Sequence, residues 1–232
     1  MGDPKPLPKS FYRKATEEVA RALLGCRLTR RLPDGTTRSV ILVETEAYLG
    51  VKDRAAHTWN GRRTPRVEPM WGPGGHAYVY FVYGMHFCMN VVTRRAGVPE
   101  AVLLRAGVSE EYFAEENRKR EISLKGNEAG RRGRAAPTGS PSLPSKQNSL
   151  LLSGPAKLCE YLRVTRELSG ASFSGPDLVL SRGPRTHFEV LAGPRVGVDY
   201  AGEAAAWPLR FAVAGCKAMT KPKGLRPIRV IA

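Results

Sequence analysis

No run of apolar residues approaches the roughly 18 needed to cross a bilayer, and the N-terminus carries no charged-then-apolar leader. A membrane span and a secretory signal are therefore not expected. Cysteine is scarce and scattered: Cys26, Cys88, Cys159 and Cys216 form no C-x-x-C pair and have no His at ligand spacing. That pattern supports neither a disulfide framework nor a structural zinc site, and reduced, mostly buried thiols are the simplest expectation. Acid is the third shortage. Against 37 Lys+Arg stand only 21 Asp+Glu, a formal net charge of +16. An excess of this size repels itself unless a polyanion neutralises it, which points to nucleic acid. A membrane surface fits less well, because no basic amphipathic helix with a bulky apolar face is present. The acids do not cluster as a metal-dependent nuclease requires. On composition alone, a charged soluble surface with a basic loop remains open.

What is present is a chain of 232 residues, 42% of them hydrophobic, enough for one large domain or two small ones. Residues 1–9 read as a disordered arm. Thr16 is placed to cap a helix running to Leu24, with Val19, Ala20, Leu23 and Leu24 on one face and Gly25 as its stop. Cys26–Arg31 and Thr36–Val43 read as strands joined by the turn Leu32-Pro33-Asp34-Gly35. A loop rich in Gly, Arg and Pro over 50–75 leads to two strands around Gly84, and Ala101–Arg105 is a further short strand. Glu110–Arg120 reads as a charged helix, and Pro155–Arg163 as a helix capped by Ser153. Val179-Leu180, Phe188–Leu191 and Leu209–Val213 supply more strands. Over 125–149 Lys, Arg, Gly, Pro and Ser dominate, as in a disordered insert. The expected architecture is one mixed α/β (α+β) domain over 10–216, mostly antiparallel, with a protruding hairpin and a basic, flexible tail over 217–232.

Two segments carry chemistry. In Glu44-Thr45-Glu46-Ala47-Tyr48, strand alternation turns Glu44, Glu46 and Tyr48 to one face and Thr45 and Ala47 to the other. Solvated strand-end acids are the plain explanation. In so basic a protein, though, an acid where DNA approaches weakens binding, which gives a chemical role weight. The second segment is the aromatic run from Tyr78 to Asn90. A hairpin that offers a bulky tip to a polyanion is a means of prying a base from a duplex, and an ordinary exposed turn aromatic is the alternative. Arg105, at the end of an apolar strand, and Arg195 are not specific by themselves.

Taken together, Val43-Glu44-Thr45-Glu46-Ala47-Tyr48-Leu49-Gly50, Ala55-Ala56-His57, Arg62-Arg63-Thr64-Pro65-Arg66, the Tyr78–Asn90 hairpin and Arg195-Val196-Gly197-Val198 closely resemble the alkyladenine (3-methyladenine) DNA glycosylases of the animal and bacterial family. The resemblance runs from about Leu7 to Val213, the basic insert excepted. It implies a single mixed α/β domain that flips a damaged purine and hydrolyses its N-glycosidic bond. Glu46 then matches the general base that activates water, with Arg105 and the Val196 carbonyl as the groups that hold that water. Tyr48, His57 and Tyr80 match the walls of the base pocket, and Asn90 the residue that crowds the 2-amino group of guanine. Tyr83 matches the side chain wedged into the gap left by the flipped nucleotide, with Met85 beside it. Arg62, Thr64, Arg66 and Met70 fall in the segment used along the DNA backbone, and Lys157 is placed to contact a phosphate.

No lysine is placed by motif to attack the sugar, so a monofunctional enzyme is expected, leaving an abasic site. No metal or organic cofactor is expected, the partner is double-stranded DNA bearing damaged purines, and a monomer is expected. The resemblance suggests 3-methyladenine, 7-methylguanine, hypoxanthine and ethenoadenine as lesions. The rival is a damaged-DNA-binding module of the same fold without catalysis. A eukaryotic source implies the nucleus, with mitochondria as a further compartment, and a bacterial source the cytoplasm.

Overall fold

A computed structural model describes residues 5–82, 84–119, 150–220 and 224–228. Tyr83 and the insert expected over 125–149 lie outside the described residues.

Among the described residues ten strands make one sheet: β1 (Arg27–Arg31), β2 (Thr37–Tyr48), β3 (Ala77–Val82), β4 (His86–Thr93), β5 (Glu100–Val108), β6 (Leu151–Leu152), β7 (Leu178–Ser181), β8 (Val190–Gly193), β9 (Arg210–Val213) and β10 (Arg226–Ile228). Every pairing is antiparallel, with the main path β10-β8-β9-β2-β5-β4-β3. Helices are few and short: α1 (Lys9–Tyr12), α2 (Thr16–Ala22), α3 over residues 110–119, and α4 (Pro155–Tyr161). One large core cluster draws residues from Leu7 through Ala218, so the α+β fold is a single domain.

The centre is β2. Its run Val40-Ile41-Leu42-Val43 is almost wholly buried, as a strand covered on both faces demands. On one edge it pairs with β5 along Ile41–Tyr48. On the other it pairs first with β1, Thr37–Ile41, and then with β9, Glu44–Glu46. The strand therefore runs past the expected end at Val43 and carries both acids into the middle of the sheet. The register against β5 is irregular there: Glu44 stands opposite Ala106 and Thr45 opposite Leu104, which leaves Arg105 with no Cα partner. A residue left over at a bulge is free to aim its side chain where the ladder would not. At the other end of β5, Gly107 and Val108 pair with Leu152 and Leu151, so the chain returns beside the point where it left.

Several expectations need correction. The first is the arm over 1–9: from Pro6 onward the chain is docked, with Pro6 bridged to Ser181, Leu7 buried and Lys9 opening α1. An apolar side chain beside the β7 edge is enough to hold it. The second is the cap at Thr16, since Ala15 occupies the N-cap position. The Thr16 hydroxyl instead meets the Thr93 hydroxyl at 2.7 Å and donates to Glu100 at 2.5 Å. The cap at Ser153 also fails, because Gly154, with φ 96°, is the residue that turns the chain into α4. The described part of the tail after Cys216 belongs to the fold: Ala218 is fully buried, Leu225 nearly so, and β10 pairs with β8. Pro227 is tolerated because that strand lies at the sheet edge.

Candidate active site

The alternation along β2 separates two environments. Thr45 faces α2 and donates its hydroxyl to the Ala20 carbonyl at 2.9 Å in the core. Glu44 and Glu46 face the other way and are both fully buried. Three donors converge on Glu46. The Tyr48 hydroxyl donates to Oε2 at 2.9 Å, the Val196 N–H donates to Oε1 at 2.8 Å, and Arg105 Nη1 lies 3.3 Å from Oε1. Burial alone would pull the Arg105 guanidinium down, but the Glu46 and Glu44 carboxylates outweigh it and keep the cation charged.

Glu44 is the anchor behind this arrangement. Its Oε1 accepts from Arg105 Nε at 3.0 Å and from Arg210 Nε at 2.8 Å, and two donors from Thr220 complete the carboxylate. A second buried pair braces the other side. Arg195 and Asp53 form a bidentate ion pair with both side chains fully buried, Arg195 Nη2 reaching Asp53 Oδ1 at 2.8 Å and Nη1 reaching Oδ2. Asp53 also accepts the N–H groups of Leu49 and Ala55, each at 3.0 Å. Arg195 donates to the Ala47 and Ala204 carbonyls at 3.0 and 3.1 Å, and its guanidinium carbon stands 4.7 Å from the centre of the Tyr48 ring. The pair thus fixes the loop that brings the Val196 N–H to Glu46.

Beside these groups opens a cavity of about 350 Å³, lined by Tyr48, His57, Tyr78, Tyr80, Asn90 and Arg105 among others. A space of that size suits a small, flat ligand. His57 Nδ1 pairs with the Tyr78 hydroxyl at 2.8 Å, and the His57 ring meets Tyr80 edge-on at 4.6 Å between centroids. Asn90, opposite Tyr78 in the β3–β4 ladder, donates its amide to the Tyr78 carbonyl at 3.0 Å, which locks the side chain. Burial pushes the phenol of Tyr78 up to about 12 and those of Tyr48 and Tyr80 well above their ordinary range, so all three rings stay neutral. Burial, then the charges of Arg66 and Arg62, push His57 down to about 4. An NMR titration should therefore show the His57 imidazole neutral from pH 8 to 5. The unfolded chain takes up this proton near 6.5 and the folded chain does not. His57 should thus contribute a loss of stability as pH falls from about 6.5 to about 4.

Residues 10–217 match the family described as methylpurine-DNA glycosylase. The chain belongs to the methylpurine-DNA glycosylase family. It is 40% identical over 209 residues to a protein of Bacillus cytotoxicus, covering 88% of this chain and 94% of that one. It is 38% identical over 214 residues to a protein of Clostridium acetobutylicum, covering 92% and 97%. A Bacillus cereus protein is 40% identical over 214 residues, covering 88% and 93%. All three bear the name "Putative 3-methyladenine DNA glycosylase". The protein is thus a DNA glycosylase, a hydrolase of DNA repair that binds damaged DNA.

The glycosylase gathers Glu46, Tyr48, Arg105, Val196, His57, Tyr80 and Asn90 at or directly behind one cavity. Met85 lies apart from it, at the β3–β4 turn, where Gly84 takes φ 68° and the Met85 N–H donates to the Val82 carbonyl at 3.1 Å. Its side chain is 68% exposed, the most exposed of the large hydrophobic residues described, and the Phe81–Phe87 pair, rings tilted at 4.9 Å between centroids, supports the strands beneath it. Arg62, Arg66 and Lys157 are exposed and Thr64 half-buried. Arg66 also stands 5.6 Å from the Tyr80 ring centre. Met70 departs from its expected place on a DNA-backbone surface: it is buried, packs with Tyr78 and lines the cavity, because the turn of residues Glu68–Trp71 rolls its apolar side inward. The sequence did not single out Tyr78, Asp53 or Thr220. The alternation of β3 brings Tyr78 to the same side as Tyr80 and is the one signal that pointed to any of them. Burial raises the thiols of Cys26 (to about 11), Cys88 and Cys159, and the four free cysteines are all buried.

Proposed function

We propose that this glycosylase flips alkylated or deaminated purines out of duplex DNA, receives the base in the cavity, and hydrolyses the N-glycosidic bond with a water activated by Glu46. One observation carries the reading. Tyr48, Arg105 and Val196 line the cavity and also contact the Glu46 carboxylate. Glu46 stands directly behind the wall, within one side chain of whatever the cavity holds. As the purine departs, the sugar takes on oxocarbenium character, and a carboxylate there both accepts a proton from water and balances the developing positive charge. The Arg105–Glu46 contact is the longest of the three, and we place the attacking water there, with the Val196 carbonyl as a further acceptor.

Neutral, electron-rich tyrosine rings favour a purine made cationic by alkylation, by about 1–2 kcal/mol. Two of these rings already bear an arginine, Arg195 on Tyr48 and Arg66 on Tyr80, so the surplus for a cationic base is small. Neutral hypoxanthine and ethenoadenine are therefore included with 3-methyladenine and 7-methylguanine. Asn90, held rigid by Tyr78, crowds the edge where guanine carries its 2-amino group. Tyr83 and Met85 fill the gap in the duplex, while Arg62, Thr64, Arg66 and Lys157 follow the phosphates. The named relatives are bacterial, and we place this activity in a bacterial cytoplasm.

The test is a duplex oligonucleotide with one hypoxanthine, incubated with the protein in EDTA. Free base should appear and the strand should stay whole until alkali cleaves the abasic site. Tight binding with no free base supports the non-catalytic module instead. Nicking before alkali, abolished by a single lysine substitution, would replace hydrolysis by a lyase route.

A further inference from the structure

We infer that Glu44 is a positioning residue for base hydrolysis, and that Thr220 completes it; this rests on the assignment of Glu46 as the base. Glu44 is fully buried and does not line the cavity, so it touches no substrate. Four donors nonetheless converge on its carboxylate. Oε1 accepts from Arg105 Nε at 3.0 Å, Arg210 Nε at 2.8 Å and the Thr220 hydroxyl at 2.6 Å. Oε2 accepts the Thr220 N–H at 2.8 Å.

The consequence falls on Arg105. Its Nε is taken by Glu44, its Nη2 donates to the Thr220 hydroxyl at 3.2 Å, and only Nη1 is turned to Glu46, at 3.3 Å. A guanidinium with one nitrogen committed in each direction can neither rotate nor close on Glu46 with two nitrogens at once. That bidentate clamp is its preferred geometry with a carboxylate, and here it would fill the place we assign to water. Arg105 is the residue left without a Cα partner at the β5 irregularity, so the ladder does not fix it. Glu44 and Thr220 do. Charge also balances locally: two buried guanidiniums, Arg105 and Arg210, face two buried carboxylates, Glu44 and Glu46. Removing the charge of Glu44 leaves Glu46 as the nearest carboxylate for Arg105.

Glu44→Gln should therefore slow single-turnover base release by about 10–100-fold, the cost of a misplaced reacting group, while KM for the duplex stays within a factor of two or so. Thr220→Val, which removes the hydroxyl and keeps the backbone donor, should give a smaller loss of the same kind. The decisive comparison is a double-mutant cycle with Arg105→Ala. If Glu44 acts through Arg105, adding Glu44→Gln to Arg105→Ala costs no more than Arg105→Ala alone. A purely structural Glu44 gives losses that multiply, and that result overturns the inference, as does an unchanged rate in Glu44→Gln. Where Glu44→Gln fails to fold, the same cycle is read from Thr220→Val. Wild type and Glu46→Gln run alongside. An active wild type that depends on Glu46 but is indifferent to Glu44 sinks the positioning role alone. An inactive wild type sinks the assignment of Glu46 and this inference with it.

Discussion

Glu46→Gln is expected to slow base release from a hypoxanthine duplex by at least about a hundredfold, and up to about ten-thousandfold, the range that a positioned general base supplies. The amide keeps an acceptor for the Val196 N–H, and the Tyr48 hydroxyl can rotate to accept from the new NH₂, so two of the three contacts have a counterpart. What is lost is the capacity to take a proton and to balance positive charge on the sugar. Binding of the damaged duplex, followed by fluorescence anisotropy, should be unchanged or tighter, because the cavity and the exposed basic residues are untouched. Loss of binding together with release would instead show Glu46 holding the Val196 loop in place.

The largest effect on stability is expected at Asp53. Asp53→Ala strips the fully buried Arg195 guanidinium of its ion-pair partner, leaving it the Ala47 and Ala204 carbonyls and the Tyr48 ring. An uncompensated buried charge costs about 3–5 kcal/mol. For a chain of this length that lowers the melting midpoint by roughly 6–20 °C. The same substitution frees the N–H groups of Leu49 and Ala55 and loosens the loop carrying Val196, so activity should fall well below the melting point. Glu68→Ala is the contrast: the Arg63–Glu68 pair is more than half exposed on both sides, and its loss should leave the midpoint where it is. Equal shifts for the two variants would show that the buried pair is not a structural brace.

These two sites also mark how far the sequence could be read. The alternation of Glu44, Glu46 and Tyr48 follows from strand period alone, and the aromatic hairpin from its composition and glycine. Both are local signals. Asp53 and Arg195 meet across 142 positions, and Glu44 and Thr220 across 176. Nothing near Asp53 in the chain distinguishes it from a solvated loop acid. Thr220 sits in a basic, Pro-containing stretch whose composition argues for fraying, and three part-buried hydrogen bonds to Glu44 and Arg105 override that composition. Thr16 and Ser153 show the same limit at smaller scale. Each stands where a cap belongs, but a better partner or a glycine conformation takes the position. Met70 is buried rather than on the DNA side, and a short turn has no period from which to read its inward face.

The pairing of Val108 with Leu151 has a use in engineering. The sheet holds the two strands about 5 Å apart, so the chain leaves and re-enters it at neighbouring positions. A splice between α3 and β6 begins on a helix packed by Tyr112 and Phe113 and ends at a strand paired to β5. Doubling the length of such a splice adds only about 0.6 kcal/mol of closure entropy. A fluorescent reporter or an affinity module grafted there would ride on the scaffold, with its attachment points set by α3 and β6 rather than by the residues around Glu46.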